Sequence, residues 1–235
     1  MGLVIKRLVG FRFFLAVGVA VVTIWVAVGA EEKPLVLARV QYYGGDYYTD
    51  PTSLPNLAGF ASDRTAGAWE ALDGSVSLLD PNLNAYPILY LTGHVEIHLQ
   101  DDEVEALSNY LHKGGFLIVN DNGPKISGNS IDESFRREIA RVLPENQLVE
   151  LTEDHPIYNI HFPFPRGLPQ IHRHDENLPP MGFGIYVGGR LAVFYAWNSD
   201  IGNGWEDIEV HNTPTDKHEA ALKMGTNILM YALYQ

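Results

Sequence analysis

Three runs in this chain are apolar at every position or nearly so: residues 35–40, 88–91 and 116–119. A strand that is hydrophobic on both faces has to be covered on both faces, so these runs predict inner strands of a parallel sheet rather than edges of an antiparallel one. Helical patterns fall between them. A helix is expected to open near Asp50-Pro51 or Ser53-Leu54-Pro55 and to run to about Leu72, with Leu54, Leu57 and Phe60 on one side. Asp101-Asp102-Glu103 opens another with an acidic first turn, Val104, Leu107 and Leu111 as its inward stripe, and Lys113-Gly114 as its end. A short strand is expected at 75–79, a helix at 135–143 and a further strand at 148–151. Gly188-Gly189 between two apolar runs predicts a hairpin over 184–195, and residues 216–234 read as an amphipathic helix. Alternation of this kind implies an α/β three-layer sandwich over residues 33–235, with a mostly parallel sheet and a C-terminal hairpin and helix. Residues 155–181, rich in Pro and His, read as a long excursion over the sheet.

Charge and composition narrow the function. Of the 16 Lys and Arg residues, Lys6, Arg7 and Arg12 precede residue 31, leaving 13 against 29 Asp and Glu in the body. So acidic a body repels phosphate backbones, which argues against nucleic acid as a partner. The chain has no Cys, which excludes disulfides, thiolate metal sites, cysteine nucleophiles and a lipid anchor on cysteine. Residues 13–30 carry no charge and end in Ala27-Val28-Gly29-Ala30 before Glu31-Glu32. A basic start, an apolar middle and a small-residue end form a signal peptide or an N-terminal membrane anchor over residues 1–30. Either would put the body in the periplasm or on the outer face of the inner membrane, in contact with the membrane only through this segment.

Chemistry is expected beyond the carboxyl ends of the strands, where ligands bind to open parallel sheets. The first strand runs into Tyr42-Tyr43-Gly44-Gly45-Asp46-Tyr47, the second into Gly93-His94 and the third into Asn120-Asp121-Asn122. Asp46, His94 and Asp121 are therefore candidates for one rim, as acid/base groups or as ligands of a hard cation. Tyr43, Gly44, Gly45, Tyr47, Gly93 and Asn120 are candidate binding residues around them. The plainer alternative is that the two aspartates cap the following loops. His172 and His174 would project to one side of an extended segment and could hold a metal, although the neighbouring prolines favour a solvated loop. Residues 198–207 are crowded with oxygen ligands and glycines but lack the spacing of a calcium loop, and read as a turn pinned by Trp205. No cofactor is called for, a divalent metal excepted.

Several of these segments resemble a bacterial family catalogued as domain of unknown function 4159. They are Arg39-Val40-Gln41-Tyr42 with Gly44-Gly45-Asp46, Leu91-Thr92-Gly93-His94, Gly114-Gly115-Phe116-Leu117, Ser134-Phe135-Arg136-Arg137-Glu138, Asp154-His155-Pro156-Ile157, Gly189-Arg190-Leu191-Ala192-Val193, and Asp200 through Gly204-Trp205-Glu206. The resemblance implies a flavodoxin-like sheet, similar to class I glutamine amidotransferases and more distantly to ThuA-like proteins, with an envelope setting and a site at the strand ends. It implies no reaction, because the cysteine elbow of the amidotransferases is replaced here by Asn120-Asp121-Asn122-Gly123. Three functions remain open: an accessory factor of the envelope that binds a small molecule, sugar or protein; a hydrolase of envelope carbohydrate using the Asp/His rim; and a structural subunit of a membrane complex.

Overall fold

A computed structural model describes residues 33–43, 45–123 and 130–235. The leader expected over residues 1–30 lies outside them, as does Gly44. In chain order the elements are β1 (Leu35–Gln41), α1 (Ser53–Arg64), β2 (Trp69–Ala71), β3 (Val76–Ser77), β4 (Ile88–Gly93), α2 (Asp101–His112) and β5 (Phe116–Asp121). They continue with α3 (Ile131–Val142), β6 (Val149–Leu151), β7 (Met181–Val187), β8 (Arg190–Trp197), α4 (Ile201–Trp205), α5 (Ile208–His211) and α6 (Thr215–Tyr234). The eight strands form one mostly parallel sheet in the order β2-β1-β4-β5-β8-β7-β6, with β3 also paired to β1. β1, β2, β3, β4, β5 and β8 are mutually parallel where they pair, and only β7 against β8 and β6 against β7 run antiparallel.

Alternation along the inner strands splits the core in two. Leu37, Ile88, Tyr90, Phe116, Ile118 and Phe194 pack under α1, α4 and α6. Ala38, Val40, Leu89, Leu91, Leu117, Val119 and Tyr195 face the other way, under α2 and α3. This is the two-sided burial that the apolar runs require. Helix starts follow local chemistry: Gln100 N–H donates to Glu103 Oε2 at 2.9 Å before α2, and Ser130 Oγ accepts from Glu133 N–H at 3.2 Å before α3.

Two expectations are corrected. The first helix stops at Arg64, not near Leu72, because residues 69–71 are drawn off into β2, with Trp69 buried and Leu35 paired to it. The expected turn at 198–207 is instead a short helix, α4, whose Trp205 is fully buried and donates from Nε1 to Ala221 O at 2.8 Å. The excursion over 155–181 holds only a 3-10 turn at Pro156–Tyr158. Side chains stitch it down: Asn227 brackets the Phe162 backbone from both sides (2.8 and 2.7 Å), and Ser199 and Asn198 bond its later peptide groups. No helix among the described residues is long and apolar enough to cross a membrane.

Candidate functional site at the strand ends

The chain leaves β1 toward β2 on one side and reaches β4 on the other. Such a reversal opens a crevice between the carboxyl ends of the two strands. Asp46 follows β1 and His94 follows β4, and across this crevice they meet. Asp46 Oδ2 lies 2.7 Å from His94 Nδ1, and Asp46 Oδ1 accepts from the His94 backbone N–H at 2.8 Å. Burial alone would raise the Asp46 carboxyl, but the bonds and charge from His94 outweigh it and hold the group below its ordinary range. An ionised Asp46 only accepts, so His94 Nδ1 carries the proton that it donates, and in the neutral form of the ring Nε2 is left as an acceptor. The pair is accessible, with 44% of the His94 side chain and 23% of the Asp46 side chain exposed.

Glycines make this approach possible. A Cβ on Gly93 would stand 2.1 Å from the Tyr42 hydroxyl and 2.9 Å from Asp46 Oδ1, and one on Gly45 would stand 2.0 Å from the Tyr42 ring. Gly123, just past β5, lets that strand end close on the carbonyl of His94, 2.4 Å from where its Cβ would be. Aromatic rings surround the crevice. Tyr47 packs edge-on to both Tyr42 and Tyr48, while Tyr43 lies edge-on to His98. Tyr43 and Tyr48 are exposed. Tyr47 and Tyr48, with Arg39, Pro51, Leu72 and Gly74, line a cleft of about 500 Å³.

Asp121 pairs in register with Gly93, one residue from His94, but its carboxyl turns down onto the α2/α3 face. Burial and the nearby charge of Asp132 push it up to about 7. His174 donates from Nε2 to the Asp121 carbonyl at 3.1 Å, and its imidazole is pushed down by burial and by the charges of His172 and His94. His172 faces elsewhere, with its ring 6.3 Å from that of His211. The segment bends between the two histidines, and each finds a different partner. The structure thus joins Asp46 to His94, sets Asp121 beside them with its acid buried, and brings His174 to the Asp121 backbone.

On the opposite face of the same strand ends lies a buried polar cluster that sequence spacing does not bring together. Asn120 donates to Asp200 Oδ1 at 2.8 Å, and Asn122 to Asp50 Oδ2 at 2.9 Å. Thr92 stands 3.4 Å from the same Asp50 oxygen. Asp50 is held at a positive φ of 58°, a conformation that Asp tolerates better than most residues, and Arg39 donates to the carbonyls of Thr49 and Asp50. Glu206 Oε1 accepts from the N–H groups of Thr52 and Ser53, at 2.7 and 2.9 Å, and so anchors the start of α1. Asp50 and Asp200 are both pushed up, chiefly by burial, then by Glu206 for Asp50 and by Asp50 for Asp200. His211 Nε2 lies 3.9 Å from Asp50 Oδ1. The signal for this cluster in the sequence was the oxygen-rich run at 198–207. Its meaning depends on β8 lying parallel to β5, which strand spacing does not disclose.

No curated protein matches the chain. A family model does, across residues 36–233, which takes in every described strand and helix from β1 to α6 except their outermost residues. The chain therefore belongs to the family described as a domain of unknown function (DUF4159).

Proposed function

We propose that the chain is a binding domain that takes a carbohydrate-bearing ligand at the crevice between β1 and β4, with the Asp46–His94 pair as its polar anchor. The observation that carries this reading is the accessible pair with the exposed Tyr43 and Tyr48 on the same loop; the cleft of about 500 Å³ that Tyr47 and Tyr48 line opens toward residues 71–75 and does not include the pair itself. Flat aromatic faces next to a fixed carboxylate–imidazole pair suit the apolar faces and hydroxyls of a sugar. The reading includes a flavodoxin-like fold of the glutamine amidotransferase type, supported by the reversal of strand order between β1 and β4. It also includes export of the domain as an accessory factor of the cell envelope, supported by the charge-free run at 13–30 behind three basic residues.

Binding of a panel of neutral oligosaccharides, followed by calorimetry and ligand-detected NMR, tests the proposal. Tyr48→Ala and His94→Ala should each weaken binding at least about tenfold, the scale of one lost aromatic or charge-assisted contact. Unchanged binding in both variants would sink it.

A hydrolase is the second reading, favoured by one observation. Asp46 fixes His94 with Nε2 facing away from the carboxylate, as a general base for water requires. Turnover of aryl glycosides that disappears in His94→Ala would establish it, and absence of turnover across the panel retires it.

A further inference from the structure

The cluster on the α1/α4/α6 face of the strand ends has more acceptors than donors. Asp50 and Glu206 are buried, and the offered ligand atoms of Asp50, Glu206 and His211 all lie within 4.8 Å of one another. Neither carboxylate is bonded to a cation among the described residues. The guanidinium of Arg39 donates from Nη1 and Nη2 to the carbonyls of Thr49 and Asp50 and to Ser53 Oγ, not to either carboxylate, and its Nε has no partner among the described residues. The three bonds that Glu206 accepts from the start of α1 fall on Oε1 and leave its second oxygen unused. His211 Nε2, at 3.9 Å from Asp50 Oδ1, is beyond hydrogen-bond distance of it and has no hydrogen-bond partner among the described residues.

A separate observation points to a missing ligand. Asn122 is 1% exposed, and its Oδ1 has no donor among the described residues. Its Nδ2 rests on Asp50 Oδ2 at 2.9 Å, so the orphaned oxygen of the same amide lies within about 5 Å of that carboxylate. An unsatisfied acceptor at that depth is costly unless something electropositive completes it. Asp200, fully buried behind Asn120, likewise has an Oδ2 without a donor.

The geometry points to a divalent metal site formed by Asp50, Glu206 and His211, with the unpartnered Asn122 amide oxygen within about 5 Å of the Asp50 carboxylate. Bonds of about 2.1 Å separate the ligands of a four-coordinate ion by about 3.4 Å. From a widest separation of 4.8 Å the three atoms therefore need to close by about 1.4 Å, a shift on the scale of side-chain rotation. Two carboxylate oxygens and one imidazole nitrogen suit Zn²⁺ or Mn²⁺ better than Mg²⁺ or Ca²⁺, which prefer oxygen alone. The ligands come from the loop before α1, from the residue after α4 and from α5. A bound ion would join the segment carrying Asp46, Tyr47 and Tyr48 to the C-terminal part of the fold.

The test uses the full chain, stripped with EDTA and titrated separately with Zn²⁺, Mn²⁺ and Mg²⁺, with metal content measured by elemental analysis after dialysis. One equivalent of Zn²⁺ or Mn²⁺ per chain is expected, with a raised melting temperature and at least a tenfold weaker response to Mg²⁺. His211→Ala and Asp50→Asn should each weaken binding at least tenfold. His211 is part-exposed on a four-residue helix, so the metal-free His211→Ala protein should melt like the metal-free parent. Binding well below one equivalent would overturn the assignment. So would full binding that survives both substitutions, since the ion would then be held elsewhere.

Discussion

At the scale of single residues, close approaches decide whether the Asp46–His94 pair can exist. Gly93→Ala would drive a methyl group into the Tyr42 hydroxyl, itself donated to the Thr92 carbonyl at 3.0 Å, and against Asp46. The expected cost is about 1–3 kcal/mol of stability, the usual range for overpacking, and NMR should show the His94 ring shifts moving toward those of a free imidazole. Asp121 gives a second prediction. Its folded-state value of about 7 lies above the ordinary carboxylate range, so folding favours the protonated acid. That contribution is fully present below about pH 4 and is lost as pH rises toward about 7. Asp121→Asn should therefore melt close to the parent at acid pH and above it at about pH 8, by a few kcal/mol at most. A gap that widens toward acid pH instead would contradict the assignment. Asp46 has the opposite sign. Held below its ordinary range, it stabilises the fold above that range and ceases to do so as acid protonates it.

Among elements, α6 shows how tertiary contacts overrule propensity. Gly225 sits inside this helix, where alanine would ordinarily gain up to about 1 kcal/mol. Here its Cβ would stand 2.5 Å from Leu57 Cδ1 and 2.9 Å from Trp205 Nε1, because α1, α4 and α6 pack as one layer around that indole. Gly225→Ala should lower stability by about 1–3 kcal/mol, and a raised melting temperature would refute the account of this layer. The longer elements were legible from the sequence because burial imposes its period on many residues at once: β1, β4, β5, α2, β7, β8 and α6 all lie where apolar patterning puts them. What was not legible is short. β2 has three residues and α4 has five, too few to repeat a pattern. α4 is fixed instead by Asp200 Oδ1 accepting from Asn203 N–H at 2.9 Å and by the burial of Trp205. α3 begins earlier than its apolar stripe suggested, at the Ser130 cap.

Across the whole molecule, function depends on which strands become neighbours. A shared rim for Asp46, His94 and Asp121 was expected because all three strands lead directly into chemistry-bearing residues; that β1 and β4 are neighbours, so that Asp46 meets His94, comes from the sheet order. The buried Asp50–Asp200–Glu206–His211 cluster was not expected. It forms only because β8, some 70 residues after β5, returns to lie parallel beside it in register from Leu117 with Val193 to Asn120 with Ala196. Glu206 then reaches Thr52 across 154 positions of sequence, a separation that local patterning does not record. The same topology divides the strand-end rim between an accessible pair on one face and enclosed carboxylates on the other.

The proposed site requires Asp46 and His94 to form one bonded unit across the β1/β4 crevice. Long-range nitrogen–proton NMR of the histidine rings at about pH 8 reads this directly. His94 should carry its proton on Nδ1, the less common neutral form, and Asp46→Asn should move that proton toward Nε2. A ring protonated on Nε2 in the parent protein, unchanged by the substitution, would mean that the two side chains do not meet.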